Sequence, residues 1–342
     1  MSRQLYDALA AKARAMYGKH THREDLERIA RMEKIGLVLD QLRQMPAWAE
    51  SAALLEEETL LTRGRLEQAL RAQVRREGLR LLSFVPQQDR EVMEFPVLRM
   101  ELERILAALR RLHASMFKEV DPLPREYITH SKVDFEGLRQ CRDFDGLADA
   151  AAGSIYGPAL HRLRGSLPDY GTTEVLLWSV YYRHLLNLVR RRYAGDTKRV
   201  LEQTIGAQAD MLNIMHILRM KRFFPEVDNY LPVLLPYHYK VGPEQVHAMC
   251  QAKSVDGVLE LIDQTPYAAT FRDVKAEDWN NRYAAMLYRF SRRQLRMGPP
   301  SIYSAVAYMN LRELELKAVV SAVESAKYRR PLDASLCEIL DP

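Results

Sequence analysis

The stretch from Gly298 to Val323 limits the possible folds of this chain more than any other. Gly298, Pro299 and Pro300 interrupt the backbone. Ser301 is placed to cap the next segment, because its hydroxyl can accept a backbone N–H left open in a first helical turn. Beyond it, Ile302, Ala305, Val306, Met309, Leu316, Val319, Val320 and Val323 recur at helical steps. That is the apolar stripe of a long, buried helix. Within the stripe lie Glu313, Glu315 and Lys317. Acids so deep in an apolar helix need partners, or a place where two helices meet.

The rest of the chain is written in the same alphabet. Ala, Leu, Glu, Arg, Met and Gln dominate, and all are good helix formers. Few runs alternate with a period of two, so the predicted fold class is all-α. With 342 residues, 47% of them hydrophobic, the chain is large enough for two or three domains with a real core. Its 50 basic residues face 45 acidic ones, giving a net charge of +5. This is mixed-sign decoration of helix faces and supports only a weak preference for acidic partners. Cys141, Cys250 and Cys337 are odd in number and far apart, a pattern that fits small buried residues in a reducing compartment better than a disulfide framework. Met1 to His22 carries charges throughout and does not read as a signal peptide. The longest uncharged run, Met297 to Leu311, is shorter than the ~20 residues of a spanning helix, so direct bilayer insertion is not expected.

The chain repeats itself. Asp145, Gly146 and Tyr156 recur 111 residues later as Asp256, Gly257 and Tyr267. A fainter copy precedes them: Gly36 lies 110 residues before Gly146, and Trp48 lies 108 before Tyr156. Each copy reads as a turn, a helix, a short turn, a second helix and a closing aromatic residue. The long helices repeat as well, with Glu101, Asp210 and Glu315 at steps of 109 and 105. A period this long exceeds that of the familiar solenoids and suggests three related helical domains, at 1–124, 125–236 and 237–342. Breaks fall at Asp121–Pro124 and in the run from Pro225 to Pro243, where prolines favour an extended connector over a paired strand.

The residues offer little chemistry. The glycines are scattered singly, without a phosphate-cradling loop, and Gly-x-Ser-x-Gly is absent. His20 and His22 sit at a helix start, where they should point apart, with no completing ligands nearby. His184, His216 and His247 each stand alone and read as packed or capping groups. Arg190, Arg191 and Arg192 fit the negative end of a helix dipole. Trp178, Tyr181 and Tyr182 fit a core or rim. The buried acids are expected to pair with Arg or Lys of neighbouring helices, or else to line a surface that accepts a partner. No catalytic, cofactor-binding or metal residue is assigned.

The C-terminal stretch resembles the C subunit of the archaeal and bacterial A/V-type rotary ATPases, the counterpart of the d subunit in the vacuolar enzyme. The family's last helix follows a Gly-Pro-rich turn with an aromatic, a basic-acidic pair and an acid-apolar-Lys step. Here Gly298, Pro299, Pro300, Tyr308, Arg312, Glu313, Glu315, Leu316 and Lys317 match it. Ala318 and Val320 replace the family's Asn and Arg. The middle copy keeps a fuller version in Asp210, Asn213, Ile214, Leu218 and Arg219. The resemblance implies three similar helical domains around a pseudo-threefold axis, forming a funnel. It implies a non-catalytic subunit without cofactors, on the cytoplasmic face of the membrane. There it would sit peripherally on the ring of c/K-type subunits and receive central-stalk subunits D and F. Glu101, Asp210, Asn213, Arg219, Tyr308, Glu313, Glu315 and Lys317 would be structural or partner-facing, and nucleic acid would not be a partner. Two other classes stay open. A helical nucleic-acid-binding or scaffold protein would use the arginine clusters and tyrosines, and its binding would weaken steeply with salt. An enzyme would use buried acids and His216.

Overall fold

The structure is a computed structural model that describes residues 4–55, 63–115, 130–227, 229–272, 278–332, 337, 339 and 340. The described residues form helices, turns and extended connectors, with no strand among them. The chain divides into two compact units. One joins Met1–Met93 to Asp273–Pro342; the other is Glu94–Arg272. The expected break at Asp121–Pro124 lies outside the described residues.

The first unit contains α1 (Gln4–Tyr17), α2 (Arg23–Ala30), α3 (Ile35–Gln44), α4 (Ala49–Ala53) and α5 (Arg63–Leu82) from the N-terminal half. In the second unit are α6 (Phe95–His113), α7 (Phe135–Gln140), α8 (Phe144–Ala150), α9 (Gly157–His161), α10 (Tyr170–Arg192), α11 (Gly195–Phe223), α12 (Pro243–Gln251), α13 (Val255–Ile262) and α14 (Ala268–Phe271). The chain then returns to the first unit with α15 (Trp279–Met297) and α16 (Tyr303–Tyr328).

The core of the first unit is α16. It packs against α15, α1, α2, α3 and α5. Every residue from Tyr303 to Arg312 is buried, so the helix is covered on all sides there. The burial is wider than the apolar stripe that the sequence shows. Ser301 does accept the N–H of Tyr303, at 3.2 Å, one residue ahead of the helix's flanking Ile302. The hinge between α15 and α16 is tight: a Cβ at Gly298 would lie 2.4 Å from the Gln294 carbonyl oxygen.

In the second unit α10 packs on α6 and α11, and the short helices α12 and α13 pack on α11. The short-helix pairs around Gly146 and Gly257 look alike. Asp143 caps α8 by accepting the Gly146 N–H at 2.8 Å, and Ser254 caps α13 by accepting the Gly257 N–H at 3.1 Å. The hydroxyl of Ser154 donates to the Ala151 carbonyl and accepts the Tyr156 N–H; Thr265 does the same with Ile262 and Tyr267. Gly146 and Gly257, with Tyr156 and Tyr267, therefore mark one turn chemistry used twice. The stretch from Leu26 to Leu42 is two helices, α2 and α3, parted where the chain leaves helical geometry between Arg31 and Lys34. No helix is long and apolar enough to cross a membrane, among the described residues.

Candidate functional site

Three long helices each bury one acid: Glu101 on α6, Asp210 on α11 and Glu315 on α16. The sequence predicts pairing with Arg or Lys of a neighbouring helix for all three. At Glu101 and Asp210, oriented N–H and O–H dipoles meet the carboxylate instead, and at Glu315 the cation comes from the acid's own helix.

Glu101 accepts the Ser131 hydroxyl at 2.6 Å and the Lys132 N–H at 3.1 Å. Its aromatic neighbour, Tyr156, donates one turn away to the Leu98 carbonyl, at 2.7 Å. Burial pushes the Glu101 carboxyl up, against the pull of these donors.

Asp210 has the fullest shell. The backbone N–H groups of Tyr239, Lys240 and Val241 reach it at 2.9, 2.7 and 3.3 Å, and the Tyr267 hydroxyl donates at 2.9 Å. Asn213, one turn on, accepts the Leu235 N–H at 2.7 Å and returns a bond to the Leu235 carbonyl at 2.9 Å. His216, a further turn on, meets the Val233 carbonyl at 3.1 Å. Residues three apart lie on one helix face, so 210, 213 and 216 form a polar ladder. Against it the proline-broken connector runs in the opposite sense. Pro232 and Pro236 carry no N–H, and the side chains of α11 stand in for a neighbouring strand. Gly206 completes the arrangement. A Cβ there would lie 2.6 Å from the Tyr239 ring, so only a glycine one turn before Asp210 lets the connector come this close.

Glu315 is held by the N-terminal stretch. Thr21 offers it both its N–H and its hydroxyl, each at 3.3 Å. Trp48 donates its indole N–H to the Thr21 hydroxyl at 2.9 Å. Of the three acids, this is the one with a cation among its hydrogen-bond partners: Arg312 Nη1 lies 2.6 Å from Glu315. The guanidinium stacks over the Trp48 ring at 4.1 Å and bonds Glu77 through Nε and Nη2, at 2.7 and 3.2 Å. Tyr308 donates to the same Glu77 at 2.7 Å. Burial works against the Arg312 charge, but Glu315 and Glu77 outweigh it and push its pKa up.

One order runs through the three sites. The acid of each long helix is met by the turn that follows it in the chain and lies beside the next copy's aromatic residue. The last acid is met by the first turn, through Thr21, which in turn takes the Trp48 N–H. The remaining predicted residues fall elsewhere. Glu313 is half-buried, while Lys317 is largely exposed and reaches Asn281 at 3.3 Å. Arg219 is exposed at the end of α11. His20 and His22 do not point apart; their rings lie 4.4 Å apart, with His20 stacked on Tyr17. Among the described residues, no three His, Cys, Asp or Glu side chains gather as a metal site would require. Arg190 pairs with Glu202 at 3.3 Å at the close of α10. Trp178 packs with Tyr181 and Tyr182. Gly206 and Glu77 escape a reading of the sequence. The one signal for Gly206 is its place four residues before a buried acid.

The chain is 23% identical over 313 residues to the C subunit of the A-type ATP synthase of Methanosphaera stadtmanae, covering 83% of this chain and 79% of that one. It is 19% identical over 320 residues to that of Methanothermobacter thermautotrophicus, covering 90% and 80%. With that of Thermococcus kodakarensis it shares 27% identity over 175 residues, 49% and 46% of the two chains. The model of the ATP synthase (C/AC39) subunit family matches residues 9–334. The chain belongs to the ATP synthase (C/AC39) subunit family.

Proposed function

We propose that this chain is a non-catalytic rotor subunit of an A/V-type rotary ATPase. It couples the central stalk, subunits D and F, to the membrane ring of c/K-type subunits in proton or sodium transport. The observation that carries this reading is the family match over residues 9–334. The cyclic order of the three acid sites supports it from within. Three related helical domains around a pseudo-threefold axis, at 1–124, 125–236 and 237–342, would hand each long helix to the next copy's turn and the last helix to the first. A funnel built this way receives the stalk in its opening and rests on the ring. It is held peripherally at the cytoplasmic face by protein contacts. Closely packed helices suit that task, because interiors of crystal-like density resist deformation.

The test is capture from detergent-solubilised membranes with a tag on this chain. The stalk's D protein and the ring protein should co-purify, and removing the chain should stop ATP-driven ion pumping while the soluble head still hydrolyses ATP. A folded, tagged chain that retains neither of them would reject the proposal.

A further inference from the structure

The first unit keeps three formal charges in one dry place: Glu77 from α5, and Arg312 and Glu315 from α16. Their hydrogen bonds are unevenly shared. Every side of Glu77 is occupied: Oε2 accepts the Tyr308 hydroxyl and Arg312 Nε, and Oε1 accepts Gln73 Nε2 at 3.0 Å and Arg312 Nη2. The guanidinium thus lies fork-to-fork on Glu77, the strong geometry for such a pair. Glu315 receives one N–H from the same guanidinium and the two Thr21 donors, all on Oε2. Its other oxygen, Oε1, has no hydrogen-bond partner, although the side chain is 0% exposed.

Two carboxylates and one guanidinium leave one negative charge in excess. The groups facing Glu315 from the helices around it do not cancel it. From α1 and α15 come the Tyr17 and Tyr288 hydroxyls, which bond each other at 3.0 Å. Tyr308 of α16 is committed to Glu77. Asp25 of α2 is tied to Arg28 and the His22 N–H. His20, beside Tyr17, has its pKa lowered by burial and by His22. Arg292 and Arg296 of α15 act on Tyr17 and His20. A bare, ionised carboxylate oxygen in such a place is costly, and a buried acid takes up a proton instead.

We propose that Glu315 holds a proton on Oε1 at neutral pH. The array is then one ion pair, Glu77 with Arg312, beside a neutral acid whose charge no longer acts on the Tyr17 and Tyr288 hydroxyls. The site becomes a proton-dependent clamp that fastens α1, the turn before α2 and Trp48 to α16. Losing the proton at alkaline pH places an unpaired charge at that junction and loosens it. Burial pushes the Glu315 carboxyl up in spite of Arg312, in the direction this requires.

Infrared difference spectra of the full chain between neutral and alkaline pH test the proposal. A carbonyl band of a protonated carboxyl should be present at neutral pH, vanish on alkalinisation and be missing from Glu315→Gln. That variant should keep the wild-type urea midpoint at neutral pH and lose the alkaline decline in stability. Should Glu315→Gln fail to fold, Glu101→Gln removes the other acid that burial pushes up among the described residues, and a band should remain. No such band in either the wild type or Glu101→Gln, or a folded Glu315→Gln that keeps the wild-type band, overturns the proposal.

Discussion

The sites around Asp210 and Glu315 occupy matching places on two long helices, yet they bury an acid in different ways. Asp210 is wrapped by three backbone N–H groups and one phenol, with no cation among its hydrogen-bond partners. Glu315 has two donors from Thr21 and shares one arginine with a second acid. In the first site a connector is folded onto the helix, and its own N–H groups are what the carboxylate satisfies. In the second, the turn before α2 brings few donors, and an Arg312 N–H from the same helix makes up the difference. The comparison teaches that a buried acid in such a helix organises whichever backbone is brought to it. A side-chain donor enters where that backbone offers too little.

The strongest way to break the comparison is Arg312→Ala. It leaves Glu77 buried without its cation, and loss of one member of a buried pair costs about 3–5 kcal/mol. Urea unfolding should show that loss. A change near zero would mean that the ion pair is not what holds α16 to α5. Asp210→Ala comes next. It strips several buried donors at once, each worth about 1–3 kcal/mol when left bare. Amide exchange at Tyr239, Lys240 and Val241 should speed up along with the loss of stability; protected amides would show that the connector does not depend on Asp210.

Gly206→Ala sharpens the same side of the comparison. Its Cβ would press on the Tyr239 ring, and overpacking of this kind costs about 1–3 kcal/mol. The loss should be much smaller in a Gly206→Ala, Tyr239→Ala double variant than the two single losses combined, because the second change removes the clash.

The Glu101 site makes a pH prediction. Its carboxyl is pushed up by burial, so the native state binds its proton more tightly than the unfolded chain does. Stability from this group is therefore full below the ordinary carboxylate value and falls as pH rises through the raised native one. Relative to Glu101→Gln, the wild type should lose stability across that window and then level off. A difference that grows with pH would refute the assignment. The smallest effect belongs to Ser131→Ala, which removes one donor from Glu101 and should cost about 0.5–1.5 kcal/mol. No measurable change would show that the Lys132 N–H suffices.

Much of this is legible without coordinates. Glu101, Asp210 and Glu315 stand out because charges are rare inside apolar helical stripes, and Trp48, Tyr156 and Tyr267 stand out by their common spacing. Asn213 pins the proline-broken connector at Leu235, but that stretch is not extended throughout, since Leu231–Val233 forms a short 3-10 turn. Glu77 is not legible. It lies on a helix rich in surface charge, and nothing local distinguishes it from its exposed neighbours. Gly206 is hidden for a related reason: a lone glycine in a helix shows its purpose only when the ring that comes against it is known.

Helicity, the recurring turns and the positions of the buried acids follow from local rules, since propensity, periodicity and capping act over a few residues. The donors that reach each acid do not follow from them. Thr21 meets Glu315, and Glu77 meets Arg312, across most of the chain's length. Such meetings depend on which helices pack together, and that is settled by burial of apolar surface, which has no direction of its own and leaves no short-range mark in the chain.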